Sequence, residues 1–223
     1  MKKIIIIIAI LLYRPDIGMS QNLNWKNLKK DQKHIFNINT GVEHGVIFGV
    51  GYGYQLKSRL PIVLNAEYSF PGGEKLFDDL KTKIGGQIRF YKTGNINFSA
   101  KFYGVFRRYE SDFTRLLNFG TDLSATAGYY KPKWFVAGEA GFDKAIVTHF
   151  KHTQSYKALY PLAKDGWYEP STGGNFYYGL QTGYSFKKTD IYLKAGKIIN
   201  QDLQTNPLIP FSVQLGFNWK ITR

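Results

Sequence analysis

Cysteine does not occur among the 223 residues. Its absence excludes disulfides, thiolate metal centres and lipid attachment at an N-terminal cysteine. Nowhere is there a run of roughly eighteen apolar residues, which excludes a helical membrane span. Acids are few: 16 Asp and Glu face 30 Lys and Arg, a formal net charge of +14. So basic a chain suits an acidic partner surface. Nucleic acid is the first such partner to weigh, but the cations are scattered over turns, loops and alternating positions, with no stripe and no binding motif, and that function is set aside. The glycines Gly49, Gly51 and Gly53 alternate within one extended stretch and open no helix, so they form no dinucleotide loop. No cofactor is expected.

The chain starts with Met1-Lys2-Lys3 and an apolar stretch from Ile4 to Tyr13, a basic and then greasy order that reads as a secretion signal. Small residues at Gly18 and Ser20 place cleavage before Gln21. Removal of residues 1–20 takes away three cations and one anion (Lys2, Lys3, Arg14, Asp16) and lowers the charge from +14 to +12. Residues 21–34 are expected as a periplasmic N-terminal segment, a solvated tail bearing Lys26, Lys29, Lys30 and Lys33. Residues 35–223 are expected to form one barrel domain.

What the chain has in plenty is alternation. From Phe211 to Ile221 every odd position is apolar and every even one polar or glycine, the pattern of a strand with one greasy and one wet face. Nine earlier segments repeat it: 35–42, 46–56, 61–70, 81–91, 95–107, 116–130, 133–148, 176–186 and 190–199. Together their apolar faces are too large and too aromatic to bury inside a protein of this size. The apolar side therefore meets lipid and the wet side lines a lumen. The expected fold is all-β: a transmembrane, antiparallel, up-and-down β-barrel of about ten strands. Alternation is unbroken from Phe36 to Leu56, but a single strand of that length would reach about 70 Å. Glu43-His44-Gly45 is therefore read as a three-residue turn that pairs Val42 with Val46. Connections after the second, fourth, sixth and eighth strands are short, and most of the others are longer, which puts both termini in the periplasm. An aromatic girdle of Tyr54, Phe90, Tyr129, Trp134, Phe186 and Trp219 falls next to the short turns.

With these segments the chain resembles the small outer-membrane β-barrel proteins of Gram-negative bacteria, the OmpA, OmpX and porin-like class, in a Bacteroidetes style of Ile-, Lys- and Tyr-rich sequence. The strand Phe217-Asn-Trp219-Lys-Ile221 is similar to the C-terminal signal read by the barrel-assembly machinery, although Thr222 and Arg223 follow it here. The resemblance implies a bacterial outer-membrane location, contact with outer-membrane lipid and lipopolysaccharide, and passage through that machinery.

Inward positions carry both signs: Glu67, Asp122, Glu139 and Asp143 against Lys83, Arg89, Lys101, Arg107, Lys194 and Lys220. Unpaired charges in so narrow a lumen are costly, so these groups are expected to pair across it and close it. The lumen glycines, Gly183 and Gly216 among them, are read as room for larger facing side chains. The long loop Lys151–Gly174 interleaves Tyr156, Tyr160, Trp167 and Tyr168 with Lys157 and Lys164, which suits a glycan or protein partner in the outer membrane, or lipopolysaccharide phosphates met by Lys151, Lys157 and Lys164. His149, His152 and Ser155 are the candidates for chemistry, with Asp165 and Glu169 in the same loop. In extended chain the two imidazoles point to opposite faces, which disfavours a shared metal. The expected role is structural, binding or accessory through the external loops. A narrow porin for small solutes is the alternative, and an outer-membrane enzyme comes third.

Overall fold

Alternation of apolar and polar side chains becomes a strand at each of the ten places. The computed structural model describes residues 20–42, 46–72, 79–169, 173–203, 207 and 209–222. The strands are β1 Gln32–Val42, β2 Val46–Gln55, β3 Ile62–Pro71, β4 Leu80–Thr93, β5 Ile96–Glu110, β6 Thr114–Tyr130 and β7 Trp134–His152. A helix α1 (Gln154–Leu159) and a short strand β8 (Gly166–Tyr168) follow, then β9 Gly174–Ser185, β10 Thr189–Asn200 and β11 Phe211–Thr222. Successive long strands pair antiparallel, β7 with β9 across the loop, and β1 pairs with β11. The result is a closed ring of ten strands with β8 added beside the end of β7. Closure gives each of the ten ring strands a neighbour on both sides, the condition for backbone to cross a bilayer as strands.

Register carries the inside–outside pattern round the ring. Val42 faces Val46, as the three-residue turn requires; residues 43–45, His44 among them, lie outside the described residues. Phe36, Ile38, Val50, Leu64, Ile84, Phe102, Leu123, Leu180, Leu193 and Leu215 all lie exposed on the outer face. At the short-turn end the six girdle residues form a band, with Tyr129 against Trp134 (5.7 Å between ring centroids), Tyr184 against Phe186 (5.2 Å) and Trp219 against Phe36 (6.4 Å). A second band closes the apolar zone towards the long-loop end, where Phe119 meets Phe106 (5.1 Å) and Trp167 (6.1 Å). Along β6, Tyr129 and Phe119 are separated by a rise of about 33 Å, which a tilt of about 40° reduces to about 25 Å, the height of a bilayer's apolar zone.

Some details depart from the expected pattern, and β1 itself starts at Gln32, inside the stretch expected as a tail. β5, β6 and β7 run past their expected ends, to Glu110, from Thr114 and to His152. A bulge opposite Phe119 and Gly120 also inserts Ile146. Ala145, at 1% exposed, and Ile146, at 52%, keep the parity of Glu139 and Asp143, but beyond the bulge the buried position is Thr148, at 4%, so alternation of side chains along β7 shifts phase there.

Candidate functional site

The lumen is the site. Its wall is built by the polar parity of each strand, and its charges close in pairs. Lys83 pairs with Asp122. Arg107 donates to both oxygens of Asp143, 2.6 Å to Oδ1, and Lys81 lies 3.7 Å from the same carboxylate. Glu139 stands between Lys101 at 3.5 Å and Lys194 at 3.2 Å. Lys220 meets Asp190 at 2.7 Å near the short-turn end. Lys81 and Asp190 were missing from the expected set because each stands at the very start of a strand, where alternation has too few neighbours to assign a face. Arg89 has another role: its Nη1 donates to the Trp25 carbonyl at 3.3 Å.

Glycines on the wet parity make space for large inward groups. A Cβ at Gly216 would run into the Tyr192 ring, and one at Gly183 would strike Phe135. Tyr192 Oη accepts from Asn37 Nδ2 at 3.0 Å, and Tyr177 Oη donates to Asp122 Oδ1 at 2.7 Å. The glycines thus make room for facing side chains, not for a water path at these points.

The segment before β1 overturns the expectation of a solvated tail. Ser20 to Trp25 are all buried, entering the lumen from the short-turn end. They bond to the wall on many sides. Gln21 Nε2 donates to Asn218 Oδ1 at 3.1 Å on β11, and Asn65 Nδ2 on β3 donates to Gln21 Oε1. Lys101 Nζ on β5 donates to Asn22 Oδ1 at 2.8 Å and to Ser20 Oγ at 3.1 Å. Asn24 Nδ2 donates to Ser185 Oγ at 2.8 Å on β9 and to the Lys131 carbonyl at 2.9 Å in the turn after β6. Leu23 and Trp25 complete an apolar cluster with Ile35, Val63, Tyr130, Phe135, Ala137 and Tyr192. A signal for this insert was present in the sequence: Ile35, Val63 and Phe135 occupy wet-parity positions at the short-turn ends of their strands, where a water-filled lumen would call for polar groups. Beyond it Lys29, Lys30 and Asp31 stay exposed as a solvated tail would.

The long-loop end divides the expected loop residues into two groups. His152 receives Asp165 twice, through its backbone N–H (2.8 Å) and its Nδ1 (3.1 Å), while Lys157 Nζ donates to the other Asp165 oxygen at 2.6 Å. These donors, the His152 amide first and then Lys157, hold the Asp165 carboxyl well below the usual carboxylate range. Tyr156 stacks on His152 (4.9 Å) and touches Tyr160 (4.9 Å). Trp167 instead lies on the outer face against His149 (4.9 Å), while Tyr168 meets Phe150 (5.3 Å) and its Oη donates to the Lys164 carbonyl at 3.2 Å. Phe150 in turn lies against His152 (6.5 Å), so Tyr168 joins the ring contacts of Tyr156 and Tyr160, and Trp167 stands apart from them. His149 and His152 diverge as well, and Ser155 lies on α1. Among the described residues no cluster of His, Asp and Glu has a metal-binding arrangement.

No protein-family model matches the chain, and no curated protein does. Solved structures similar to it are barrels. One described as the KdgM porin in complex with disordered oligogalacturonate is 8% identical, with a TM-score of 0.43, covering 84% of this chain and 99% of its own. The NanC porin is 11% identical, with a TM-score of 0.45, covering 83% and 100%. OmpT of Vibrio cholerae is 9% identical, with a TM-score of 0.31, covering 94% and 73%. In the ring itself the greasy parity faces out from every strand and the charges face in, an arrangement stable only where lipid covers the outside. The chain is accordingly a small β-barrel protein of the bacterial outer membrane.

Proposed function

We propose that this barrel is closed to solutes and works through its long-loop end, as a structural, binding or accessory component of the outer membrane with no chemistry of its own. The observation that carries the reading is the insert: Ser20–Trp25 fills the short-turn half of the lumen, and the ion pairs of Lys83, Arg107, Lys101 and Lys194 cross the rest. In this reading the short turns and both termini face the periplasm, and the loops that hold α1 and β8 face outward. Arg115 and Lys151, paired across β6 and β7 just beyond the Phe119 and Trp167 band, suit the phosphates of lipopolysaccharide. Trp167 and Leu162, both exposed, suit a protein or glycan partner.

Single-channel recording of the processed protein in a planar bilayer tests the closure. The wild type stays silent, while a variant lacking residues 21–25 shows steps. Reproducible steps in the wild type would replace this reading with a narrow channel.

A further inference from the structure

One lumen carboxylate differs from the rest. Glu67 on β3 is 8% exposed, and no Lys or Arg forms an ion pair with it among the described residues, whereas Asp122, Glu139, Asp143 and Asp190 each have a cation within 4 Å. The lysines nearest in the wall are committed elsewhere: Lys83, its cross-strand partner in register, to Asp122, and Lys101 to Glu139 and Asn22. Glu67 Oε1 accepts from the Gln21 backbone nitrogen at 3.0 Å and from Tyr103 Oη at 3.3 Å, and Oε2 has no hydrogen-bond partner. A buried carboxylate with one oxygen unsatisfied and no cation in direct contact is an expensive arrangement. The missing positive charge would sit at the Gln21 nitrogen, and Gln21 is also the first residue after the small-residue motif Gly18-Met-Ser20.

We propose that the chain is cut between Ser20 and Gln21 and that the α-ammonium so freed is the ionic partner of Glu67 inside the lumen. An endopeptidase of the secretion-signal class adds water across the peptide bond. The Ser20 carbonyl carbon takes the hydroxyl, the Gln21 nitrogen takes the hydrogen, and the acidic proton of the new carboxyl passes to the amine. The leader departs with a carboxylate, and an ammonium remains. Three N–H donors then replace one, enough to keep the bond to Oε1 and to serve Oε2. A leader still attached at Ser20 would begin beside Lys101, whose charge the apolar run Ile4–Leu12 cannot satisfy, so cutting precedes seating of the insert. The side chain of Gln21 is engaged by Asn218 and Asn65, so the seated residue keeps its amide; cyclisation to pyroglutamate would expel Nε2 as ammonia and remove the α-ammonium.

This inference rests on the closed-lumen reading for its setting, but its test is separate from conductance. The protein is expressed from its full gene and purified from outer membranes. Its N-terminal peptide is then identified by mass spectrometry, and labelling of the α-amine by a small acylating reagent is followed by peptide mapping in the folded and the unfolded protein. The expected N-terminus is Gln21 with its amide intact, labelled about tenfold or more slowly when folded, because reaction waits for local opening. Glu67→Gln keeps the size of the side chain and removes its charge, and labelling should rise towards the unfolded rate. A different N-terminus, a pyroglutamate, equal labelling of the folded and unfolded wild type, or full protection in Glu67→Gln would each overturn the proposal. If Glu67→Gln does not accumulate, the wild-type N-terminus and labelling ratio decide alone. A silent bilayer combined with any of those results removes the ammonium and leaves the closed barrel standing, while steps combined with a protected Gln21 do the reverse.

Discussion

The two halves of the lumen are held by different chemistry. Towards the short turns, neutral amides meet an inserted peptide: Asn218, Asn65 and Ser185 bond Gln21 and Asn24, and Leu23 and Trp25 pack on Ile35, Val63 and Phe135. Towards the long loops no insert is seen among the described residues, and the wall bonds to itself through Lys83–Asp122 and Arg107–Asp143, while Lys101, held by both Glu139 and Asn22, joins the two regions. An inserted backbone brings its own donors and acceptors, so amides are enough to satisfy it. Without one, inward groups from opposite walls must span the distance, and long charged side chains reach it. Glu67 stands at the boundary between the two regimes and takes its strongest contact from the insert.

The largest effect that would separate these halves is expected from Glu139→Ala, which leaves both Lys101 and Lys194 without their carboxylate. Loss of one member of a buried ion pair costs about 3–5 kcal/mol, to be read as a lower urea midpoint for the barrel in lipid vesicles. A wild-type midpoint would mean that water, not ion pairing, satisfies these two lysines. Next, Trp25→Ala should remove about 3 kcal/mol of packing from the other half. Its signature is selective: the insert becomes cleavable by protease between Gln21 and Lys26 while the barrel stays resistant. If barrel and insert are lost together, the two halves are one cooperative unit. Asn218→Ala removes partners of Gln21 Nε2 and Asn37 Nδ2 and should cost about 1–3 kcal/mol, the usual result of leaving buried donors unmet.

The smallest effect lies outside the lumen. Asp165→Asn should leave barrel unfolding unchanged and speed proteolysis of the loop between α1 and β8. Since the folded carboxyl titrates below its unfolded value, its contribution is fully present above about pH 4 and is lost as acid carries the pH down through the folded value. Loop protection that already fell between pH 7 and 5 would show that Asp165 is not the group in control.

Much of the candidate site was legible in single segments. Lys83, Asp122, Glu139 and Lys194 show their inward facing by parity alone, because in a strand two residues cannot be apolar neighbours on one face without the pattern revealing it. Pairing was not legible in the same way. Lys83 and Asp122 meet across β4 to β6, so their contact depends on the register of two hairpins at once. The shift at Ile146 was hidden because a bulge preserves composition while changing phase. β8 was hidden because three residues carry too little alternation to detect, and it forms where β7 outruns β9.

The sequence by itself determined the ten strands, the face that each presents to lipid and the pairing of Val42 with Val46, since each depends on residues close together in the chain and on a period of two. Tertiary structure alone decided what occupies the lumen. Nothing local to Gln21-Asn-Leu-Asn-Trp25 marks it as buried; it becomes so only when closure of the ring brings β3, β5, β9 and β11 around one polar space, in which unmet donors and acceptors must find partners.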